Sequence, residues 1–412
     1  MSAGSSKELP RQTAAARRGG PARSPSIVAL VLVTGVSPLA TDVYLPKLPV
    51  MQLSLHTSAA LVQATMTTFI AGFAAGQLLA GPLSDGRGRR PFVVGGSALF
   101  CLASSWCALA PPIGVLLTAR AVEGLAAGAA VATGRAMLTD RFRGVEAARR
   151  FATLFVFLLL GPVVAPVLGS AVLTFTSWRG TFVLLAGLGA TIAGGAVVGL
   201  PETLEHASRG LLGQLRRFGQ PLVDAHFRRL LLAAAAGSAA LFVYVASSSY
   251  LYQLRLGTSR GTFTLIYAAT AGLMAASSLA FRGLLNRWTP QVLQIAGAAL
   301  SLLAALTLTV LTFASIAPSA LVTALLVVTL VGAGVVAPAN VLRIQDAGRE
   351  SAGTAAALNG TTSYAAGAVL APIPGLQGPP TIFGVAALLT VLFAVQFGGL
   401  LRDARVAGRL AR

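Results

Sequence analysis

The sequence predicts an all-α integral membrane protein: twelve transmembrane helices in two six-helix pseudo-repeats, with both termini cytoplasmic. Three observations carry that prediction. Of the 412 residues 55% are hydrophobic and only 10% charged, against about 25% charged in a soluble domain, so too little polar surface remains to coat a water-soluble globule. Apolar runs of about 20 residues, long enough to cross a bilayer, recur twelve times. The basic residues alternate between successive loops.

Residues 1–26 carry Ala, Arg, Ser, Gly and Pro without an apolar core of their own and read as a disordered, basic cytoplasmic tail. The first apolar run then serves as targeting signal and first span. The runs follow at 27–50, 60–83, 92–110, 113–139, 151–175, 180–200, 229–252, 261–284, 290–313, 318–342, 351–373 and 378–401. Several are dense in Gly and Ala, as in AGLGATIAGGAVVG at 186–199, a composition that lets membrane helices approach closely. The six-span segments 27–200 and 229–401 are nearly equal in length, and between them lies the central cytoplasmic loop, 201–228, in which LLGQLRRF suits a short interfacial amphipathic helix. Residues 402–412 form a second basic cytoplasmic tail.

Of the 31 lysines and arginines, 25 fall in the tails and in every second loop. The opposite loops hold four (Lys47, Arg179, Arg255 and Arg260), and Arg120 and Arg135 lie within spans. That is the positive-inside pattern for an even number of helices. It accounts for the net charge of +19 without nucleic acid as a partner; the partners expected are the lipid bilayer, protons and a small amphipathic drug or metabolite, and the chain is expected to act as a monomer. Cys101 and Cys107, six apart in one apolar run, suggest neither a disulfide framework nor a metal site, and His56, His206 and His226 form no ligand cluster. With no nucleophile–base set and no phosphate loop, the sequence does not read as an enzyme and implies no cofactor beyond the proton-motive force. Two six-helix halves with a site between them describe a secondary transporter working by alternating access.

Twelve acids are present and only Asp42 and Glu123 fall well inside spans. Asp42 lies about 22 Å from the start of its helix, in the outer half of the membrane. Intramembrane carboxyls usually face a cavity and mark ion or proton pathways; the bland alternative is an interfacial acid that pairs with Lys47. Arg120 and Glu123 are three residues apart and share one helical face. Arg120 needs a partner, either Glu123 or Asp42, and a purely structural ion pair is a full alternative. The turn GPLSDGRGRRP at 81–91 carries Gly81, expected to allow a close helix contact, and Asp85, placed to pair with an arginine or face a helix N-terminus.

That turn resembles the loop 2–3 signature of the major facilitator superfamily at Gly81, Leu83, Asp85, Gly88, Arg89 and Arg90. GPVVAPVLG at 161–169 resembles the span-five antiporter signature through Gly161, Pro162 and Gly169, and TDVYLPKLP with LPETL at 200–204 is similar to the Bcr/CflA branch of bacterial proton-coupled drug exporters associated with bicyclomycin and chloramphenicol. The resemblance implies that Asp42 exchanges a proton against drug and that Arg120 assists coupling. It implies that Asp85 and Arg89 stabilise one conformational state, and that Gly161, Pro162 and Gly169 bend and pack a helix beside the central cavity. It further implies drug efflux and antibiotic resistance in the bacterial cytoplasmic (inner) membrane. Glu123 replaces the usual Gln of the span-four pattern, and Thr34 stands where some relatives carry a second acid. Cavity walls are expected from spans 1, 4, 5, 7, 8, 10 and 11, with Tyr44, Phe242, Tyr250, Asn340, Asn359 and Tyr364 as candidate substrate contacts. The alternative function is transport of an endogenous metabolite or nutrient by the same fold.

Overall fold

A computed structural model describes residues 25–142, 160–171, 175–204, 221–348 and 352–410. The helices are α1 Ile27–Asp42, α2 Leu48–Ser54, α3 Ala59–Arg87, α4 Arg89–Leu109, α5 Ile113–Arg141, α6 Leu160–Ala171 and α7 Arg179–Gly199 in the first half. The second half has α8 Ala225–Tyr250, α9 Arg260–Leu284, α10 Pro290–Phe313, α11 Ser319–Ala347, α12 Ala352–Leu370 and α13 Ile382–Leu410. Among the described residues ten helical segments are long and apolar enough to cross a membrane, taking α1–α2 as one and extending α8 to Arg255. The 160–171 part of span five and the α12 part of span eleven are helical too but shorter. The 1–24 part of the expected tail, most of the central loop with LLGQLRRF, and much of span five lie outside the described residues.

The two halves repeat one packing scheme. The pairs α3–α5, α4–α5, α4–α7, α1–α7 and α1–α5 of the first half recur as α9–α11, α10–α11, α10–α13, α8–α13 and α8–α11 in the second. Small residues set the closest of these contacts. A β-carbon on Gly72 or Gly76 of α3 would run into the α5 backbone at Ala121 and Leu125, and one on Gly124 or Gly128 of α5 would strike the α3 backbone at Phe69 and Phe73. Two backbones at that distance gain dispersion contacts that a larger side chain would forbid. Gly81 does not serve this way, contrary to expectation: nothing lies within 4 Å of where its β-carbon would sit. The close approach falls five and nine residues earlier in α3, at Gly76 and Gly72.

Hydrogen bonds join the halves at the end of the bundle opposite Asp85. Gln63 Nε2 donates to the Ala246 carbonyl at 3.1 Å, Gln253 Nε2 to the Pro46 carbonyl at 3.1 Å, and Ser170 meets Thr264 at 3.1 Å. Tyr250 belongs to this seam, its hydroxyl 3.5 Å from the Leu48 carbonyl.

Two charged networks sit at the Asp85 end, one in each half. In the first, Arg89 pairs with Asp85 one turn before it, with Asp140 at 3.0 Å and with Ser84 Oγ at 2.8 Å. Glu202 of the LPETL segment caps α4, accepting from the backbone N–H of Arg89 at 2.8 Å and of Arg90 at 3.1 Å. A carboxylate on a helix N-terminus satisfies orphan donors and the helix dipole together. Burial pushes the Glu202 carboxyl up, but the backbone N–H groups of Leu204, Arg89, Arg90 and Thr203 outweigh it and hold it below the usual carboxylate range. Gly88, at φ 100°, makes the turn, and a β-carbon there would meet the Glu202 carboxylate. Arg90 Nη2 closes the corner on the Val197 carbonyl at 2.6 Å.

In the second half Asp403 plays the central part, buried and bonded to Arg343 at 2.7 Å, Arg229 at 3.3 Å and His226 Nδ1 at 2.6 Å. This network corrects the expectation of a tail at 402–412, because α13 continues as helix to Leu410 and Asp403 is part of its packed face. Asn340 is tied here as well, bonded to Gln294, which itself accepts from Arg343 at 2.5 Å.

Candidate functional site

The sequence around Asp42 dictates an interrupted helix. Pro46 has no N–H to offer the Asp42 carbonyl and disfavours continued helix before it. The run read as one span at 27–50 therefore ends its first helix at Asp42, turns through a 3₁₀ segment at Leu45–Lys47 and restarts as α2. Ser37, Pro38, Thr41 and Asp42 occupy one face of the last turns of α1, and that face looks between the two halves.

There it forms part of the wall of a cavity of about 270 Å³. The opposite walls are Met66 of α3, Pro162 of α6, Phe242 and Tyr244 of α8, Tyr267, Thr270 and Met274 of α9, Leu330 of α11 and Tyr364 of α12. Among these lining residues Asp42 is the one carboxyl. It is 4% exposed, and among the described residues no ion pair reaches it. Lys47, also buried, lies within electrostatic reach of Arg260 and does not pair with Asp42. The aromatic walls are built from contacting rings: Tyr364 stands 4.7 Å from Phe73 across the interface between halves and 5.4 Å from Phe242 within its own half, and Tyr244 stacks at 6.2 Å on Tyr267.

Arg120 and Glu123 lie behind this wall, both fully buried in the first half. Arg120 Nη1 meets Glu123 Oε2 at 2.6 Å, so its carboxylate partner is Glu123 and not Asp42. Glu123 also accepts from Ser104 Oγ at 2.6 Å and lies 3.7 Å from Cys107 Sγ. The guanidinium sits over the rings of Phe69 at 4.3 Å and Tyr44 at 4.9 Å, and donates to the carbonyls of Thr65 at 3.2 Å and Ala40 at 3.1 Å. Ala40 is in the last turn of α1, so a cation held there also complements the C-terminal end of that helix. Arg120 thus ties α3 and α5 to the turn that presents Asp42.

Gly161 and Gly169 of α6 fix the neighbouring wall. A β-carbon on Gly161 would reach 2.5 Å from the Pro38 ring, and one on Gly169 would overlap the Val43 carbonyl. Pro162 turns its ring into the cavity.

The structure brings Asp42, Pro162, Phe242 and Tyr364 to the cavity. It places Tyr44 against Arg120 and Thr65, Tyr250 in the seam between halves, and Asn340 in the Asp403 network, all off the cavity wall. Asn359 is half-buried and also off the wall, its Oδ1 without a hydrogen-bond partner among the described residues. Span four, expected as a wall, is replaced by Met66 of span two. Ser104 and Cys107 were missed as partners of Glu123, although their spacing of three residues in an apolar run was a usable signal; nothing in the sequence singles out Met66, Tyr244, Tyr267 or Thr270. Groups of three or more metal-ligating side chains are absent among the described residues.

Residues 30–372 match the Major Facilitator Superfamily. An uncharacterized MFS-type transporter, YdgK, of Bacillus subtilis (strain 168) is 28% identical over 378 residues, spanning 89% of this chain and 93% of that protein. A chloramphenicol resistance protein of Pseudomonas aeruginosa is 33% identical over 277 residues, 66% of this chain and 65% of that protein. The multidrug resistance protein MdtL of Shigella flexneri is 30% identical over 273 residues, 66% of this chain and 70% of that protein. Similar solved structures include a bacterial homolog to the human lysosomal transporter Spinster in an inward-facing and occupied conformation, with TM-score 0.70 at 17% identity over 94% of this chain and 98% of that one. The xylose transporter XylE from E. coli follows at TM-score 0.68 and 13% identity, with 91% and 96% covered. At such identities the likeness is one of fold.

Proposed function

The chain belongs to the Major Facilitator Superfamily, and from that premise we propose that it exports small amphipathic drugs in exchange for protons by alternating access. The family and fold are those of transporters, not enzymes. The finer reading is of twelve spans with both termini cytoplasmic in the bacterial inner membrane, a Bcr/CflA-type antiporter acting as a monomer on chloramphenicol- or bicyclomycin-like substrates, driven by the proton-motive force alone. One observation carries it: a buried carboxyl, Asp42, with no cation partner among the described residues, in an aromatic cavity between the two halves. The chloramphenicol resistance protein and the multidrug resistance protein among its relatives support the same reading.

An uncompensated carboxylate in such a wall is costly, and either a proton or a substrate's cationic or hydrogen-bond-donating group seated against it offsets that cost. The two therefore compete for Asp42. The bonds joining the halves through Gln63, Gln253 and Tyr250 lie on the side that the charge pattern assigns to the outside, which supports reading this form as closed on that side. Drug entering from the cytoplasm displaces the proton; after reorientation a proton from outside displaces the drug and favours return. Binding drives the change only through unequal affinity for the two states. Arg120 and Glu123 act as a fixed pair that holds the last turn of α1, and the Asp85–Arg89–Asp140 network holds one of the two end states.

Everted membrane vesicles carrying a proton gradient and a pH-sensitive dye test the reading. Addition of chloramphenicol-class or other amphipathic drugs should evoke proton movement, and sugars should not. Sugar-evoked movement with silence toward every drug would turn the reading to nutrient transport.

A further inference from the structure

Among the described residues four aromatic rings line the cavity, and they differ in how far each is covered. Tyr244 is 1% exposed and Tyr267 4%, stacked on each other, whereas Phe242 and Tyr364 are half-buried. The ring faces open to a ligand are therefore those of Phe242 and Tyr364. Phe73 of α3, buried and off the cavity, backs Tyr364 at 4.7 Å, so Phe73, Tyr364 and Phe242 run as three rings in series.

Gly367 holds the end of that series in place. It lies one turn after Tyr364 on α12, and a β-carbon there would overlap the Phe242 ring, with Phe242 Cγ at 2.8 Å and Cβ at 3.1 Å. At Gly72, Gly76, Gly124 and Gly128 the nearest obstacle is the backbone of the crossing helix; at Gly367 the three nearest atoms all belong to the Phe242 side chain. They include the root of that side chain, which cannot swing aside as a flexible tip would, so any larger residue at 367 lifts the ring from its seat. This glycine thus does more than let two helices approach: it forms the slot in which the Phe242 ring lies 5.4 Å from Tyr364. From the first half the cavity receives Ser37, Thr41 and Asp42 with the rings of Pro38 and Pro162. The carboxyl therefore stands on one wall and the open aromatic faces on the other.

We propose that Gly367 is a specificity-determining position: by seating Phe242 beside Tyr364 it presents a fixed aromatic surface, and the chain thereby selects molecules carrying a planar aromatic ring over saturated molecules of equal bulk. Gly367 acts through Phe242 and is a positioning residue; the rings make the contact. Paired aromatic rings attract each other beyond the apolar area they bury, because the electron-poor edge of one meets the electron-rich face of the other. A saturated ring lacks that term and binds by burial alone. The inference rests on the reading that this cavity is the substrate site, and it narrows the substrate class within that reading.

The probes are 4-phenylbutylamine and 4-cyclohexylbutylamine, which carry the same ammonium on the same chain, so that any contact with Asp42 cancels in their ratio. Affinities are read by equilibrium dialysis of the tritiated amines against the purified full-length protein in lipid nanodiscs, with empty nanodiscs as the blank. The saturated ring has the larger apolar surface, so burial alone favors the cyclohexyl probe. Wild type should nonetheless bind the phenyl probe about two- to tenfold tighter, the range expected for one aromatic pair. Gly367→Ala should bring the ratio to one or reverse it, while Gly187→Ala, whose site is open, keeps the wild-type ratio. Equal or reversed affinities in wild type, no saturable binding of the phenyl probe, or a Gly367→Ala variant weakened equally toward both would overturn the proposal. Should Gly367→Ala fail to fold, Phe242→Leu decides: loss of the phenyl preference supports the proposal and its retention overturns it. Failure of the export reading is separable, since the preference and its loss would persist while the phenyl probe evokes no proton movement in vesicles.

Discussion

Removal of Glu123 should destabilise the protein by leaving Arg120 buried without its counter-charge, and removal of both residues should restore most of the loss. In Glu123→Leu the guanidinium keeps the Thr65 and Ala40 carbonyls and the Phe69 ring but loses a carboxylate at 2.6 Å in a fully buried setting. Stranding one member of such a pair costs about 3–5 kcal/mol. In the double variant Arg120→Met with Glu123→Leu no charge remains, and the residual loss comes mainly from the Ala40 carbonyl in the final turn of α1, because the Thr65 carbonyl keeps the Thr68 hydroxyl as a donor. An unpartnered buried acceptor costs about 1–3 kcal/mol, so the double variant should sit nearer wild type than Glu123→Leu does. The assay is the unfolding midpoint in mild detergent, with the four proteins of the cycle measured side by side. A double variant as unstable as the single one would refute the reasoning, as would a Glu123→Leu variant of wild-type stability.

Other consequences follow from the same geometry. Gly169→Ala forces a β-carbon onto the Val43 carbonyl, an overpacking that costs about 1–3 kcal/mol beside Asp42; drug-evoked proton movement should fall while the neutral control Gly81→Ala, in open space, behaves as wild type. Gly124→Leu should lower the unfolding midpoint more than Gly195→Leu, whose site is open, because only the former separates α3 from α5. The Glu202 carboxyl is held below its ordinary range in the folded protein, so its stabilising contribution is present above the unfolded carboxyl value of about 4.3 and fades as pH falls through the folded value. A melting series from pH 7 to pH 3 should therefore show Glu202→Gln less stable than wild type at neutral pH and converging with it in acid; a gap that widens on acidification would contradict the assignment.

Composition and charge alternation carried the membrane class and the two-half plan, because a bilayer leaves so few alternatives for backbone polar groups. Pro46 and Pro49 are the local signal for the break of α1 near Asp42, inside the single apolar run at 27–50. What one sequence does not encode locally is the rotation of each helix about its axis. The choice between Glu123 and Asp42 as partner for Arg120 turned on that rotation, and so did the cavity wall: Phe242 and Tyr364 face inward, whereas Tyr44 and Tyr250, equally aromatic, point into packing. Gly81 shows the same limit, since the worth of a glycine depends on which helix crosses there, and the crossing occurs at Gly72 and Gly76. Asp403 looks like part of a basic tail in the sequence because its partners, Arg343, Arg229 and His226, come from two other segments remote in sequence.

The central claim, that Asp42 carries the exchanged proton, is tested most directly by comparing two transport modes of Asp42→Asn in proteoliposomes with a radiolabelled drug. Proton-driven drug movement requires the carboxyl; exchange of labelled for unlabelled drug at equal pH requires only the cavity and its reorientation. The account predicts that Asp42→Asn loses the first and retains the second for a neutral drug such as chloramphenicol. Retention of proton-driven movement by Asp42→Asn, with its loss in Glu123→Gln instead, would contradict the account and move the proton to the buried pair.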